Sequence, residues 1–211
     1  MSRSRVFSFP SLTRARFNPT SNRFASSYCK MGIQLLDKYQ LQPLSLDSVP
    51  WRRQPGQQVL WIGCSDSGCD ELESSGLPAD EIFEYRSLGN MMVDDLSCKA
   101  TLGYALDSLK IRNIVICGHY GCHIASGEVN AGLQKPWSSV LDTLRSTHRR
   151  TLDSLTGTER DRALVELNVL EQVHSLRQSA EAAEALQKQQ LNIWGMVYDK
   201  ATKRGYQLIE A

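Results

Sequence analysis

Two short clusters of metal-binding residue types follow apolar stretches of the sequence. His119 and Cys122 stand three positions apart after a β-branched run, and Cys64 and Asp66 follow a similar run earlier in the chain. Apolar runs of this length are typical of buried strands, and α/β proteins place their chemistry in the turns after such strands. Two adjacent parallel strands would therefore bring Cys64 beside His119 and Cys122, with the Asp66 carboxylate within reach.

A Cys2His cluster with a neighbouring carboxylate suits zinc, which proteins bind through thiolate, imidazole and carboxylate groups. Three nitrogen and sulfur ligands with an open fourth position form a catalytic zinc site, whereas four fixed ligands form a structural one. Cys64, His119 and Cys122 are therefore candidate metal ligands, with Asp66 close enough to join them. The same residue types also fit a cysteine nucleophile with His119 as its base, or buried thiols beside a core histidine.

Predicted strands and helices alternate along most of the chain. Apolar runs predict strands, and apolar residues at helical spacing predict helices. The predicted strands cover 58–64, 81–86, 113–118 and 192–198, with an edge strand at 206–209, and the predicted helices cover 31–40, 95–110, 136–150 and 158–187. This alternation favours an α/β fold with a mostly parallel central sheet flanked by helices.

The N-terminal segment, residues 1–29, differs in composition from the rest of the chain. The first 30 residues hold six of the 24 basic residues and none of the 23 acidic ones. A basic, hydroxyl-rich and acid-poor start is typical of a mitochondrial targeting peptide, and a disordered basic tail is the alternative. We therefore expect a targeting or disordered segment over 1–29, one domain over 30–211, and a location in the mitochondrial matrix, with the cytoplasm as second choice.

Composition also limits the partners of the folded part. Residues after the basic segment carry a net negative charge, so a nucleic-acid partner is not expected, because phosphate binding needs a basic face. No apolar run approaches the ~20 residues of a membrane-spanning helix, so no membrane partner is expected. The six cysteines are irregularly spaced in a chain of 211 residues, which is unlike a disulfide framework.

These motifs resemble those of the β-class carbonic anhydrases, and the chain resembles a fungal-type member of that family. Residues 60–67 (LWIGCSDS) resemble the first zinc motif of the family, Cys-x-Asp-x-Arg, and residues 117–122 (CGHYGC) resemble the second, His-x-x-Cys. The segments 166–169 and 194–199 are similar to further family segments. The resemblance covers the chain from about residue 30 to its end.

The resemblance implies a zinc lyase that hydrates carbon dioxide reversibly to bicarbonate and a proton. One zinc ion per chain would be held by Cys64, His119 and Cys122. Asp66 would be the catalytic carboxylate, which either ligates the zinc and closes the site or swings away and admits water. Independently of the resemblance, Tyr120 and His123 are candidates for relaying the proton that this reaction releases. The family also implies a homodimer or a dimer of dimers.

The sequence departs from the family pattern at three positions near the predicted site. Gly68 replaces the family arginine, Pro78 replaces a glutamine, and Ser87 replaces an asparagine. In the family, the arginine forms a bidentate pair with the aspartate and holds that carboxylate off the metal. Without it, zinc is the remaining strong cation near Asp66, so we expect reduced activity. The alternative is a zinc-stabilised, catalytically weak or inactive homologue that acts through dimerisation or partner binding.

Three other residues carry expectations that the structure can address. Arg86 is expected to anchor a loop or a subunit contact. His148 and His174 lie in charged helical stretches and are expected to be solvated.

Overall fold

The central sheet contains six strands in the part of the chain that the structure describes. The structure is a computed structural model, and it describes residues 39–44, 49, 51, 58–68, 71–92, 96–126, 135, 137–188 and 190–210. The strands are β1 Tyr39–Pro43, β2 Val59–Cys64, β3 Ile82–Ser87, β4 Asn113–His119, β5 Asn192–Asp199 and β6 Arg204–Glu210. Their spatial order is β1-β6-β5-β4-β2-β3.

Four neighbouring strands, β3, β2, β4 and β5, run parallel to one another. β2 pairs with β4 in a register that places Val59 opposite Asn113 and Ile62 opposite Ile116. β6 and β1 add antiparallel pairings on the β5 side. Because β2 and β4 are adjacent and parallel, their carboxyl ends, Cys64 and His119, lie at the same edge of the sheet. The predicted α/β fold with a mostly parallel sheet is confirmed.

α-Helices connect β3 to β4 and β4 to β5, whereas short 3₁₀ turns lie between the parallel strands β2 and β3. The helices are α1 Leu96–Gly103, α2 His123–Ser126, α3 Trp137–Thr147, α4 Arg149–Asp153, α5 Gly157–Arg177 and α6 Ala180–Gln187. α1 continues as a wider π-helical turn over Tyr104–Ser108. Short 3₁₀ turns cover Glu71–Ser75, Ala79–Glu81 and Leu88–Asn90.

Alternate side chains of the strands pack on opposite faces of the sheet. On one face Leu60, Ile62, Ile114 and Ile116 contact the core that α1, α5 and α6 complete. On the other face Val59, Trp61, Val115 and Cys117 pack with residues of connecting segments, among them Trp51, Leu72 and Leu77. Burial on both faces explains why β2 and β4 are continuous apolar runs rather than alternating ones.

Several predicted elements differ from the observed ones. Residues 31–38 of the predicted helix 31–40 lie outside the described residues, and the remaining two belong to strand β1. β6 is longer than predicted and is not an edge strand, because it pairs with both β5 and β1. The predicted helix 158–187 is divided into α5 and α6. The predicted targeting segment, 1–29, also lies outside the described residues.

Two further observations concern the helices. His148, between α3 and α4, is only 6% exposed, so the prediction that it is solvated was wrong. Burial also lowers the pKa of His148, because the charged form loses its hydration. In the ranges of the chain that the structure covers, none of the helices combines the length and apolar character needed to cross a bilayer.

Candidate metal centre

The ends of β2 and β4 bring three potential metal ligands together. Cys64 is the last residue of β2, His119 is the last residue of β4, and Cys122 follows one turn later. One ligand atom from each residue lies within 4.8 Å of the others, and all three side chains are buried. The structure therefore places the two cysteines and the histidine where they could hold one metal ion.

The spacing of the two sulfurs matches the spacing that a shared tetrahedral metal requires. Cys64 Sγ and Cys122 Sγ are 3.7 Å apart. Two thiolates at a zinc–sulfur distance of about 2.3 Å and a tetrahedral angle would be about 3.8 Å apart. Each sulfur also accepts a backbone N–H, from Asp66 to Cys64 at 3.3 Å and from Ala125 to Cys122 at 3.5 Å. These donors suit sulfurs that carry negative charge.

The histidine ring is oriented from its Nδ1 side and leaves Nε2 without a partner. Nδ1 lies 3.4 Å from the carbonyl oxygen of Tyr120, which can accept a hydrogen bond from a protonated Nδ1. Nε2 is buried and has no hydrogen-bond partner within the described residues. A buried nitrogen without a partner is costly unless something binds it. The tautomer that donates from Nδ1 leaves the Nε2 lone pair available to a metal, which is the arrangement metal-binding histidines adopt.

The two thiols shift each other's pKa in opposite directions. The hydrogen bond between the two sulfurs lowers the pKa of Cys64, with further help from His119. The same hydrogen bond raises the pKa of Cys122, and burial adds to this increase. A divalent cation bound between the sulfurs would favour loss of both thiol protons, because metal ligation requires thiolates.

Asp66 lies beside this cluster but is not part of it. Its Oδ2 atom accepts hydrogen bonds from the backbone N–H and the ring Nδ1 of His123, each at 3.1 Å. Burial alone would raise the pKa of Asp66, but the two His123 donors outweigh it and lower the pKa. The carboxylate is thus held as an anion at the rim of the candidate site, turned toward the first residue of α2.

Arg86 fixes the other side of the turn that carries Asp66. Its Nη1 donates to the carbonyl of Cys64 at 2.9 Å and to Oγ of Ser67 at 2.6 Å. Arg86 also pairs with Glu84. The expected loop-anchoring role of Arg86 is therefore confirmed. Gly68, which follows this turn, has φ +49, and no atom lies within 4 Å of the position of a Cβ there.

A second polar network supports the turn between His119 and Cys122. The Tyr120 hydroxyl donates to Oε1 of Glu166 in α5 at 2.6 Å, and Arg162 lies 3.9 Å above the centre of the Tyr120 ring. Arg162 also pairs with Asp199 at the end of β5, at 2.6 Å. Burial and then the contact with Glu166 raise the pKa of Tyr120. Of this network, sequence reasoning singled out Tyr120 and the segments 166–169 and 194–199, which contain Glu166 and Asp199, but it missed Arg162.

Comparison with known proteins assigns the chain and its fold to a family. The family model for carbonic anhydrase matches residues 59–204. A solved structure of a mutant of the β-carbonic anhydrase CafD from Aspergillus fumigatus is 99% identical, has a TM-score of 0.79, and is matched over 81% of this chain and 99% of that one. The chain belongs to the β class of the carbonic anhydrase family.

More distant relatives agree with this assignment. The carbonic anhydrase of Candida albicans is 34% identical over 155 residues, which are 68% of this chain and 53% of that protein. A β-carbonic anhydrase of Sordaria macrospora, described as tetrameric, is 30% identical with a TM-score of 0.64, over 72% of this chain and 80% of that one. The chain spans about half the length of the first curated relatives it matches.

Proposed function

We propose that this protein is a zinc-dependent carbonic anhydrase that interconverts carbon dioxide and bicarbonate. One zinc ion per chain would be held by Cys64, His119 and Cys122. The observation that carries this function is the convergence of two sulfurs 3.7 Å apart and a buried, unpartnered His119 Nε2 in the described part of a β-class chain. Zinc suits this donor set better than calcium or magnesium, which prefer oxygen ligands.

The bound metal and the surrounding residues would have separate tasks. Zinc lowers the pKa of water from 15.7 to about 7 and so supplies a nucleophile at neutral pH. Two thiolate ligands reduce the charge of the metal and work against this effect. The N–H groups of Asp66 and Ala125, which point at the sulfurs, withdraw negative charge from them and work in its favour.

Asp66 is the residue that we assign to catalysis, with a fourth ligand as its alternative role. Its carboxylate follows Cys64 by two residues and can accept a hydrogen bond from a reactant at the rim of the site. Of the two candidates for carrying the proton away, His123 is better placed than Tyr120. His123 contacts Asp66 and is 58% exposed, whereas the Tyr120 hydroxyl is committed to Glu166.

We further propose that activity is lower than in family members with an arginine at the position of Gly68. The second candidate function is a weak or inactive homologue that acts through dimerisation or partner binding. Exposed apolar side chains favour an oligomer, since Leu96 is 84% exposed and Tyr104, whose ring contacts Phe83 of β3, is 53% exposed. Within the described chain, β3 pairs on one side only. A homodimer or dimer of dimers would cover this edge.

Zinc content and carbon dioxide hydration test the principal function together. Purified protein should hold about one zinc per chain, and Cys64→Ser should lose both zinc and hydration. Cys98→Ala, a buried thiol in α1, is the matched control and should retain both. Zinc far below one per chain in the wild type, or a Cys64→Ser variant with unchanged zinc and activity, would overturn the assignment.

Gly68→Arg separates the two candidate functions. A strong gain in hydration would mean that the chain is an enzyme limited by the missing arginine, and no gain would favour the non-catalytic role. The positive φ at Gly68 costs a non-glycine residue about 1 kcal/mol, so folding should be verified by the melting temperature.

The proposed location is the mitochondrial matrix, with the cytoplasm as second choice. Support comes from the basic, acid-free composition of residues 1–29. A fluorescent fusion of the full chain should enter mitochondria, and a fusion that starts at residue 30 should remain in the cytoplasm. Identical distributions of the two fusions would contradict a targeting role.

A further inference from the structure

The contact between Asp66 and His123 joins the two halves of the candidate metal centre. Asp66 follows Cys64 by two residues, and His123 follows Cys122 directly and begins α2. Both hydrogen bonds from His123 fall on the same carboxylate oxygen, Oδ2, at 3.1 Å. An ionised carboxylate only accepts hydrogen bonds, so the ring nitrogen must be the donor. This bond forms whether or not the ring is charged.

The turn that carries Asp66 is held on its other side as well. Arg86 donates to the Cys64 carbonyl and to the Ser67 hydroxyl, which lie on either side of Asp66 in the chain. The backbone of the turn is therefore fixed by Arg86, and the direction of the Asp66 side chain is fixed by His123. Rotation of that side chain is the remaining freedom that could bring the carboxylate onto the metal.

We propose that His123 is the positioning residue of Asp66 and takes the place of the arginine that Gly68 lacks. It holds the carboxylate toward the first residue of α2 and keeps it from becoming a fourth ligand to the metal. This role rests on the proposed zinc function. It explains how a chain with glycine at position 68 retains a partner for its catalytic carboxylate.

The expected size of the effect follows from the exposure of the pair. Loss of a hydrogen bond to a charged group shifts an equilibrium by about tenfold or more when the pair is buried. The side chain of Asp66 is 31% exposed and that of His123 is 58% exposed, so water weakens their contact. When the ring donor of His123 is lost, we expect the equilibrium of the Asp66 carboxylate to shift toward metal ligation by about fivefold to tenfold.

Azide binding to cobalt-loaded protein measures whether the carboxylate competes for the metal. His123→Ala removes the ring donor, and its azide affinity should fall about fivefold to tenfold. His123→Asn keeps a donor near the Nδ1 position and should stay within about twofold of the wild type. Adding Asp66→Asn to His123→Ala removes the competing ligand and should restore azide binding. His174→Ala, a histidine on α5, is the control for loss of an imidazole and should change nothing.

The outcomes distinguish this role from the function on which it rests. If His123→Ala binds azide like the wild type, or if Asp66→Asn does not restore the loss, His123 does not position Asp66. If wild-type protein takes up no metal and hydrates no carbon dioxide, the proposed function fails. In that case a crystal structure of metal-free His123→Ala tests the positioning role. The role requires the Asp66 carboxylate to move away from the start of α2, and a carboxylate that stays there would contradict it.

Discussion

Gly118 offers a direct test of how tightly the candidate metal centre is packed against helix α5. It precedes His119 in β4, and a Cβ at this position would lie 2.7 Å from Val169 Cγ2 and 3.1 Å from Val165 Cγ1. Carbon atoms in contact are normally about 3.5–4.0 Å apart. Gly118→Ala therefore requires strand and helix to separate by up to about 1 Å, because a helical valine has essentially one rotamer available.

The cost of this substitution follows from measurements on overpacked cores. Extra methyl groups in a well-packed core cost about 1–3 kcal/mol. For a chain of this size, 1 kcal/mol lowers the melting temperature by about 2–4 °C, so Gly118→Ala should lower it by about 2–12 °C. Because the displaced residue is next to His119, zinc retention should also weaken.

Thermal unfolding followed by circular dichroism, at fixed protein and zinc concentrations, measures the effect. Gly103→Ala is the matched control, since no atom lies within 4 Å of its Cβ position and its backbone is helical. That control should be neutral or stabilising by about 0.5–1 kcal/mol. Adding Val169→Ala should remove most of the cost of Gly118→Ala. A melting temperature for Gly118→Ala within 1 °C of the wild type, or additive effects with Val169→Ala, would refute this packing argument.

Three further predictions concern the hydrogen bond of Tyr120, the half-buried carboxyl of Glu171 and the metal. Tyr120→Phe leaves Glu166 without its donor and should cost about 1–3 kcal/mol in a urea titration, whereas the exposed Tyr104→Phe should cost little. Burial raises the pKa of Glu171 to about 7, so this group lowers stability as the pH rises from about 4.5 to 7. Glu171→Gln should therefore raise the melting temperature at pH 8 more than at pH 5. An equal gain at both pH values would contradict this prediction. Glu159→Gln, at an exposed position on the same helix, is the control and should show no such difference. Chelation of zinc present at 100 times its Kd should lower the melting temperature by about 5–11 °C, and a chelator without effect would argue against a bound metal.

The sheet and the cluster of metal ligands were predictable because their signals are local. β2 and β4 are apolar runs followed directly by cysteine or histidine, and parallel pairing of two such strands is enough to bring their ends together. The positions of Cys64, His119 and Cys122 therefore depend on strand identity, which hydrophobic patterning reports, and on the adjacency of β2 and β4, which was a condition of the prediction and is shown by the structure.

Elements that depend on distant partners were not predictable in the same way. β1 has the sequence YQLQP with mostly exposed side chains, and it is a strand because it pairs with β6 at the far end of the chain. This pairing also moves β6 away from the edge of the sheet. His148 lies in a polar stretch, and its burial results from the packing of neighbouring helices rather than from its local sequence.

The Asp66 side chain has a hydrogen-bond partner that is distant in the sequence and that local motifs do not reveal. Gly68 removes the nearby arginine, and from this the sequence predicts that zinc is the only strong cation left to attract the carboxylate. His123 lies 57 residues away in sequence, and its contact depends on how β4 leads into α2.

The two partners also differ in the bonds they can form, and this difference determines what Gly68→Arg should do. A guanidinium can bind both carboxylate oxygens through parallel hydrogen bonds, whereas His123 binds Oδ2 alone and leaves the carboxylate freer to rotate. We therefore expect Gly68→Arg to raise activity in the wild type, and to raise it by a larger factor in the His123→Ala background. Equal gains in the two backgrounds would mean that arginine and His123 do not act on the same carboxylate.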